Sequence, residues 1–254
     1  MKSYDLNNLG VDHVYVVTVQ TFKARIEHIK KEMAKHDIAF TFFYEHYSPN
    51  LDEDIANKFN VDMKRGYKAN VLQHIAMWKD VVDKGYKRVL VFEDDVILHK
   101  NFREKFSEVI NAANELQEDY VIFLGGADTK VPKDFFLSKE TLYPLPIATS
   151  EGLVMDVAGI KRRLNWVSNN KIHCPIDHLI AHIDTVESAK SYWSRTPLTE
   201  QASIMGSIKS ELDNHRLKHS PLFIRLRYYW NKFQRRQARS YIVRINHFLA
   251  RLIN

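Results

Sequence analysis

Apolar and polar positions along this chain recur in two rhythms, and the switches between them outline its elements. Val14-Tyr15-Val16-Val17-Thr18-Val19 is a β-branched and aromatic run, which predicts a first strand. Over residues 21–36, Phe22, Ile26, Ile29 and Met33 recur at three- and four-residue spacings. Basic residues fill the other face, which predicts an amphipathic helix. Residues 38–44 form a second strand candidate. Strand, helix, strand with short links predicts the opening of a parallel α/β sheet. An irregular stretch follows, with a Ser48-Pro49-Asn50 turn and a short helix expected over residues 52–59. A longer helix is expected from Asn70, with Val71, Ile75, Trp78 and Val82 on one face and Gly85 as its stop.

The next segment organises the rest. In Val89-Leu90-Val91-Phe92-Glu93-Asp94-Asp95-Val96-Ile97, four apolar residues run into three adjacent carboxylates, and two β-branched residues follow. The apolar run has the length of a buried strand. Unpaired charges are too costly to share its interior, so the acids are expected where the strand meets a cleft. There they would be oxygen ligands suited to Mg²⁺ or Mn²⁺. The plainer alternative is a solvated turn. The Val96-Ile97 pair argues against it, because the chain re-enters the core.

Beyond the acids, Phe102, Phe106, Val109 and Ala113 mark a helix over residues 102–116. Residues 119–124 read as a strong strand ending in Gly125-Gly126, a pair that permits a tight turn or close backbone approach. A proline-containing loop spans residues 127–145. Residues 148–157 are expected as a strand, residues 160–167 as a helix, and the segment after Pro175 and Asp177 as another helix. No regular structure is predicted between residues 185 and 218. Internal repeats and low-complexity linkers are absent, so a single α/β domain is expected over residues 1–213.

Charge changes the picture at the C-terminus. The net charge is +6, yet residues 214–254 carry ten Lys or Arg and no acid. The first 213 residues hold 27 bases against 31 acids, a mildly acidic body. Such a body implies no wide basic groove, so nucleic acid is not an expected partner. The single cysteine, Cys174, excludes an internal disulfide framework. The first residues lack the apolar core of a signal peptide, and no run of 18 apolar residues predicts a membrane span.

Several blocks, taken in order, resemble glycosyltransferase family 25, bacterial lipopolysaccharide and lipooligosaccharide sugar transferases related to collagen galactosyltransferase domains. The similar blocks are Tyr15 to Val19 with Arg25; Gly66, Leu72, His74 and Trp78; Val89 to Leu98; Leu124-Gly125; Pro175-Ile176-Asp177; and Gln201 with Ser207. Ala69, Asn70, Gln73 and Asp156 depart from the family pattern.

The resemblance implies a GT-A-like, Rossmann-type mixed sheet flanked by helices. It implies a metal-dependent inverting enzyme, with galactose from UDP-galactose ahead of UDP-glucose as the donor. It points to Asp95 as metal ligand, with Glu93 beside it. Donor contacts are expected from Thr18, Val19, Arg25, His74, Glu93, Asp94, Gln201 and Ser207. His74 alone reads more readily as a structural histidine, and the resemblance gives a role near the donor equal weight. Inversion needs a base on the acceptor hydroxyl. Asp177 is the first candidate, with Glu151 and Asp128 as alternatives. A zinc site at His173, Cys174, Asp177 and His178 is disfavoured by their close spacing.

Residues 214–254 predict a basic amphipathic helical tail, with Leu222, Leu226, Tyr229, Trp230 and Phe233 forming one stripe. Arginines beside interfacial aromatics are a membrane-surface signature. The expected setting is cytoplasmic, attached peripherally to the inner face of a bacterial inner membrane. There the enzyme would meet a glycolipid or oligosaccharide acceptor. The alternative is packing of the stripe on the body or on a second subunit. The rival functions are a membrane-surface scaffold without catalysis and nucleic-acid binding by the tail.

Overall fold

The computed structural model describes residues 6–44, 58–205, 208 and 219–253. Most of the short helix expected over residues 52–59, and Ser207, lie outside the described residues.

A seven-stranded mixed sheet forms the middle of three layers. Its strands are β1 (His13–Val17), β2 (Thr41–Phe43), β3 (Arg88–Glu93), β5 (Tyr120–Phe123), β6 (Leu142–Pro144), β7 (Gly152–Asp156) and β8 (Lys190–Ser194). Their spatial order is β2-β1-β3-β7-β5-β8-β6. β3 pairs parallel with β1 and antiparallel with β7, which is antiparallel to β5. β5 and β8 are parallel. β1, β2, β3, β5 and β8 therefore run one way, and β6 and β7 run the other.

Helices cover both faces, which is why the central strands are continuously apolar rather than alternating. In β3, Val89 and Val91 enter one core, and Leu90 and Phe92 enter the other. The first core packs against α2 (Arg65–Asp83), α5 (Val157–Asn169) and α6 (Ile176–Val186). The second packs against α1 (Lys23–His36) and α3 (Phe102–Asn114). The short α4 (Lys133–Leu137) adds Phe135 and Phe136 to the first core.

Helix ends follow local chemistry. Gly85, at φ +70°, closes α2 as expected: its N–H donates to the Val82 carbonyl at 3.1 Å, and Tyr86 donates to Val81 at 3.1 Å. Asp156 caps α5, accepting from Ala158 N–H at 2.9 Å. The same oxygen accepts from Asp119 N–H at 2.8 Å, holding a non-glycine residue at φ +73°. That double duty accounts for an aspartate at a position that departs from the family pattern.

Three expectations are corrected. The loop expected over residues 127–145 holds α4 and β6. α2 begins at Arg65, not near Asn70, because its first turn is polar and lacks apolar periodicity. The supposedly irregular region after residue 185 contains β8 and β9 (Thr199–Gln201). β9 pairs with β4 (Val96–Leu98) in a separate ribbon, so the chain does re-enter the core after the acids. Both β8 and β9 are polar strands that backbone pairing defines.

The tail forms α7 (Pro221–Lys232), a six-residue π-helical segment (Phe233–Ala238) and α8 (Arg239–Ile253). Ser220 caps it, and Pro221 occupies its first turn. It packs on the body, but not through the anticipated stripe. Ile224, Tyr228 and Val243 are buried, whereas Leu222, Leu226, Tyr229, Trp230 and Phe233 are exposed. Among the described residues, no helix is long and apolar enough to cross a membrane.

Replacing Asp156 with alanine removes the α5 cap and leaves Asp119 N–H without its acceptor. The expected loss is about 1–2 kcal/mol. In urea it appears as a lower midpoint at unchanged slope.

Candidate active site

The carboxyl ends of β1, β3 and β5 and the amino end of β7 meet at one sheet edge, the usual ligand side of an open α/β sheet. β1 delivers Thr18 there, β3 the acids, β5 the Gly125-Gly126 pair, and β7 is preceded by Glu151.

The three acids point to different partners. Asp94 accepts from the Thr18 hydroxyl at 2.7 Å and forms an ion pair with Arg25 of α1. Arg25 also lies 3.9 Å from Asp95. Glu93 faces the buried His74 of α2, with Nε2 at 3.4 Å from its Oε1, and accepts from Ser150. Asp95 accepts from the hydroxyl and backbone N–H of Ser203, and its own carbonyl accepts from Ala202 N–H at 2.7 Å.

Burial is the largest influence on each acid. It pushes the Asp94 carboxyl up to about 6, against Arg25 and Thr18, which pull it down. Asp95 is raised by burial and by the charge of Glu93, with Arg25 and Ser203 opposing. Burial also acts upward on Glu93, but His74, Ser150 and Arg25 together bring it below the usual glutamate range. Arg25 stays above its ordinary value: burial works against its charge, and Asp94 and Asp95 outweigh burial.

Glu151 is the fourth acid of this edge, and it is buried. Its Oε1 accepts from Gly126 N–H at 2.6 Å, and its carbonyl accepts from Glu93 N–H at 3.4 Å. Burial lifts its carboxyl to about 7, with the charges of Asp95 and Asp128 adding to the rise. A Cβ on residue 125 would lie 1.9 Å from Glu151 Oε1, so only glycine lets this side chain cross the end of β5. The glycine pair anticipated as an approach to ligand therefore first admits a carboxylate of the protein itself.

The other anticipated residues are spread around this edge. Val19 follows Thr18 and is half-buried. Gln201 ends β9 opposite Val96. Asp128 follows the glycine pair, and its carbonyl accepts from Arg235 at 2.8 Å. Asp177 lies in the first turn of α6 and accepts from His178 N–H at 2.9 Å. Among the described residues, no hydrogen bond or ion pair joins it to the triplet. Nor do three His, Cys, Asp or Glu side chains of the described residues group as a ready metal cage, at residues 173–178 or elsewhere.

Four contributors were not anticipated. Ser150 and Ser203 hold Glu93 and Asp95. Gln73 donates to the carbonyls of Thr18 at 2.6 Å and Phe43 at 2.8 Å, tying the ends of β1 and β2 together. Tyr228 of the tail is buried beside Glu200. Only Gln73 left a signal in sequence, as a polar residue within the apolar face of a helix.

The pattern of Glycosyltransferase family 25 (LPS biosynthesis protein) matches residues 11–144, more than half of the chain. The chain belongs to glycosyltransferase family 25. The match contains Thr18, Arg25, His74 and the acid triplet, and stops short of Glu151. A Haemophilus influenzae protein named provisionally as a glycosyltransferase is 28% identical over 67% of this chain and 63% of its own length. The H. influenzae "Lipooligosaccharide biosynthesis protein lic2B" is 28% identical over 34% of this chain and 35% of its own. Human "Procollagen galactosyltransferase 2" is 21% identical over 47% and 21%. The chain thus spans less than two thirds of the length of these relatives. Other relatives, from mouse and human, are named inactive.

Glu151 makes stability depend on pH. Its carboxyl titrates at about 7 in the fold against 4.5 as a free side chain. Between those values the folded chain keeps a proton that the unfolded chain has released, so stability falls as pH rises through this window. Below it the contribution is fully present. Asp94 acts in the same sense, between 3.8 and about 6. In chelator-treated protein, Glu151→Gln keeps an acceptor for Gly126 N–H and loses the titration. Urea unfolding followed from about pH 5 to about pH 7.5 is expected to show a shallower decline for that variant.

Proposed function

We propose that this chain is a metal-dependent, inverting hexosyltransferase that moves galactose from UDP-galactose to a lipooligosaccharide or lipopolysaccharide acceptor. The carrying observation is the meeting of Asp95 and Glu93 with Glu151, whose carboxyl titrates near neutrality, at the carboxyl edge of the sheet. Family membership gives that edge its chemistry. The names of the lipooligosaccharide and galactosyltransferase relatives support the acceptor and the sugar.

Asp95 and Glu93 suit a hard divalent cation such as Mn²⁺ or Mg²⁺. Asp95 is buried and Glu93 half-buried, and burial holds the Asp95 carboxyl above its ordinary range. Sites of this kind use one or two carboxylates and complete the set with substrate phosphates, so a three-residue protein cage is not required. When bound, the metal would offset the charge that develops on the nucleoside diphosphate leaving group.

The remaining roles belong to the chain itself. Thr18 and Arg25 fix Asp94, and Arg25 brings positive charge toward the diphosphate. His74 orients Glu93. Glu151 takes the proton of the acceptor hydroxyl, since a base that titrates near the working pH is best matched to that task. It is preferred over Asp177 because it lies within the acid group, and over Asp128 because its carboxyl is buried.

Incubation with UDP-galactose, UDP-glucose, GDP-mannose and CMP-sialic acid, with and without Mn²⁺, tests this reading. Turnover is expected with UDP-galactose and only with metal. Asp95→Asn should lower it at least about 100-fold. Glu151→Gln should lower turnover while UDP binding persists. Absence of nucleotide-sugar binding in the presence of metal would refute the reading and favour a non-catalytic family member.

The exposed face of the tail supports peripheral attachment to an anionic membrane, and with it a cytoplasmic setting at the inner face. Leu226, Trp230 and Phe248 are exposed among arginines, on the side away from the body contacts. Replacing all three with serine leaves Ile224, Tyr228 and Val243 in place. Flotation with vesicles rich in anionic lipid is expected to fall at least about tenfold, from the loss of buried apolar area. Unchanged flotation would remove the membrane from the account.

A further inference from the structure

The body and the tail helices enclose an open cavity of about 370 Å³ that none of the roles above uses. The body contributes Phe135, Phe136 and Arg195, and the tail contributes Arg236, Tyr241 and Arg244. Lys232, at its margin, is ion-paired with Glu200. No acidic side chain lines the cavity among the described residues.

Like charges are thus gathered in the wall, and among the described acids only Asp128, outside the lining, opposes the charge of Arg236. Burial, and next the charge of Arg244, holds the Arg195 guanidinium below its ordinary range. Burial brings Arg236 down to about 10. Arg195 Nη1 and Arg236 Nη2 are buried, and no described protein atom accepts from either. Leaving such donors unmet is costly in a fold that could have placed neutral side chains there.

The guanidinium groups are also fixed in place. Arg236 stacks over Trp193 at 4.3 Å and over Phe135 at 4.9 Å, and its Nε donates to the Ala127 carbonyl at 3.3 Å. Arg195 lies over Phe135 at 5.9 Å. Pre-positioned guanidinium forks match the oxygens of a phosphate or carboxylate. The aromatic walls suit the apolar face of a sugar ring. The volume is that of a small-molecule site.

Location decides what such a ligand would be part of. Ala127 lines the cavity, and the adjacent Gly126 N–H holds Glu151. The cavity wall is therefore one residue along the chain from the glycine that holds the proposed base. We infer that this cavity is an acceptor subsite that binds a negatively charged sugar of the acceptor glycan, through a phosphate or carboxylate group. The inference rests on the assignment of Glu151 to the acceptor side. The same chemistry occurs in lipid headgroups. The concave aromatic setting between body and tail, separate from the outward apolar stripe, favours the sugar.

Full-length protein is titrated with glucose 6-phosphate, inorganic phosphate, glucose and vesicles of anionic lipid, followed by intrinsic tryptophan fluorescence and calorimetry. Glucose 6-phosphate should bind at least about tenfold more tightly than glucose, as expected for charge-assisted hydrogen bonds. Arg244→Gln, at an exposed helical position, should remove part of that preference, and adding Arg195→Gln, which deletes one of the unmet donors, should remove most of the rest. UDP binding in the presence of Mn²⁺ should be unchanged in both variants. Equal binding of glucose and glucose 6-phosphate, or an unchanged preference in the variants, would overturn the subsite. Vesicle binding that these substitutions weaken, with no binding of glucose 6-phosphate, would overturn the sugar assignment in favour of a headgroup. If glucose 6-phosphate binds as expected while no nucleotide sugar does, the transferase reading fails and the anion site stands.

Discussion

Negative charge at the mouth of a dry strand is the constraint on which the remaining architecture depends. Glu93, Asp94 and Asp95 follow four fully buried apolar residues, and water cannot solvate them freely there. The fold answers with donors from widely separated elements. Thr18 comes from β1, Arg25 from α1, His74 from α2, Ser150 from the approach to β7 and Ser203 from beyond β9. A displacement of any of these elements would strip an acid of its partner. Satisfying the triplet and closing the sheet edge are therefore one structural task.

The compensation is deliberately incomplete in physical effect. Asp95 and Glu151 remain above their ordinary carboxylate ranges after every nearby donor has acted. A purely structural cluster would be more stable with that charge neutralised or removed. Carboxyls that burial raises together at a sheet edge mark a candidate place for a cation or a proton to come and go.

Legibility in the sequence followed the range of the interactions. The β3 run and the acids could be read because apolar residues and carboxylates cannot share one interior. Gly85 could be read because a helix stop is local chemistry. The family blocks from Tyr15 to Leu124 also lie within the matched region. Ser150 and Ser203 could not be read, since their partners sit 57 and 108 positions away and lone serines carry no period. β8 and β9 were hidden because Lys-Ser-Tyr-Trp-Ser and Thr-Glu-Gln draw their order from pairing, not from hydrophobicity. The tail was legible as amphipathic, but its docking face was not. Arg236 over Trp193 and a buried Tyr228 fix the contact, and the larger apolar stripe is left outside.

The tail grips the loop after β5 by main-chain atoms. Arg235 and Arg236 bond the carbonyls of Asp128 and Ala127, and neither bond depends on a loop side chain. Asp128 and Thr129, which are partly exposed, can consequently exchange side chains while the tail stays docked, whereas Ala127 is buried. Selectivity for a new substrate can arise there by single substitutions, at little risk to assembly. The design separates what the loop recognises from how it is held, a modularity that makes this corner of the molecule evolvable.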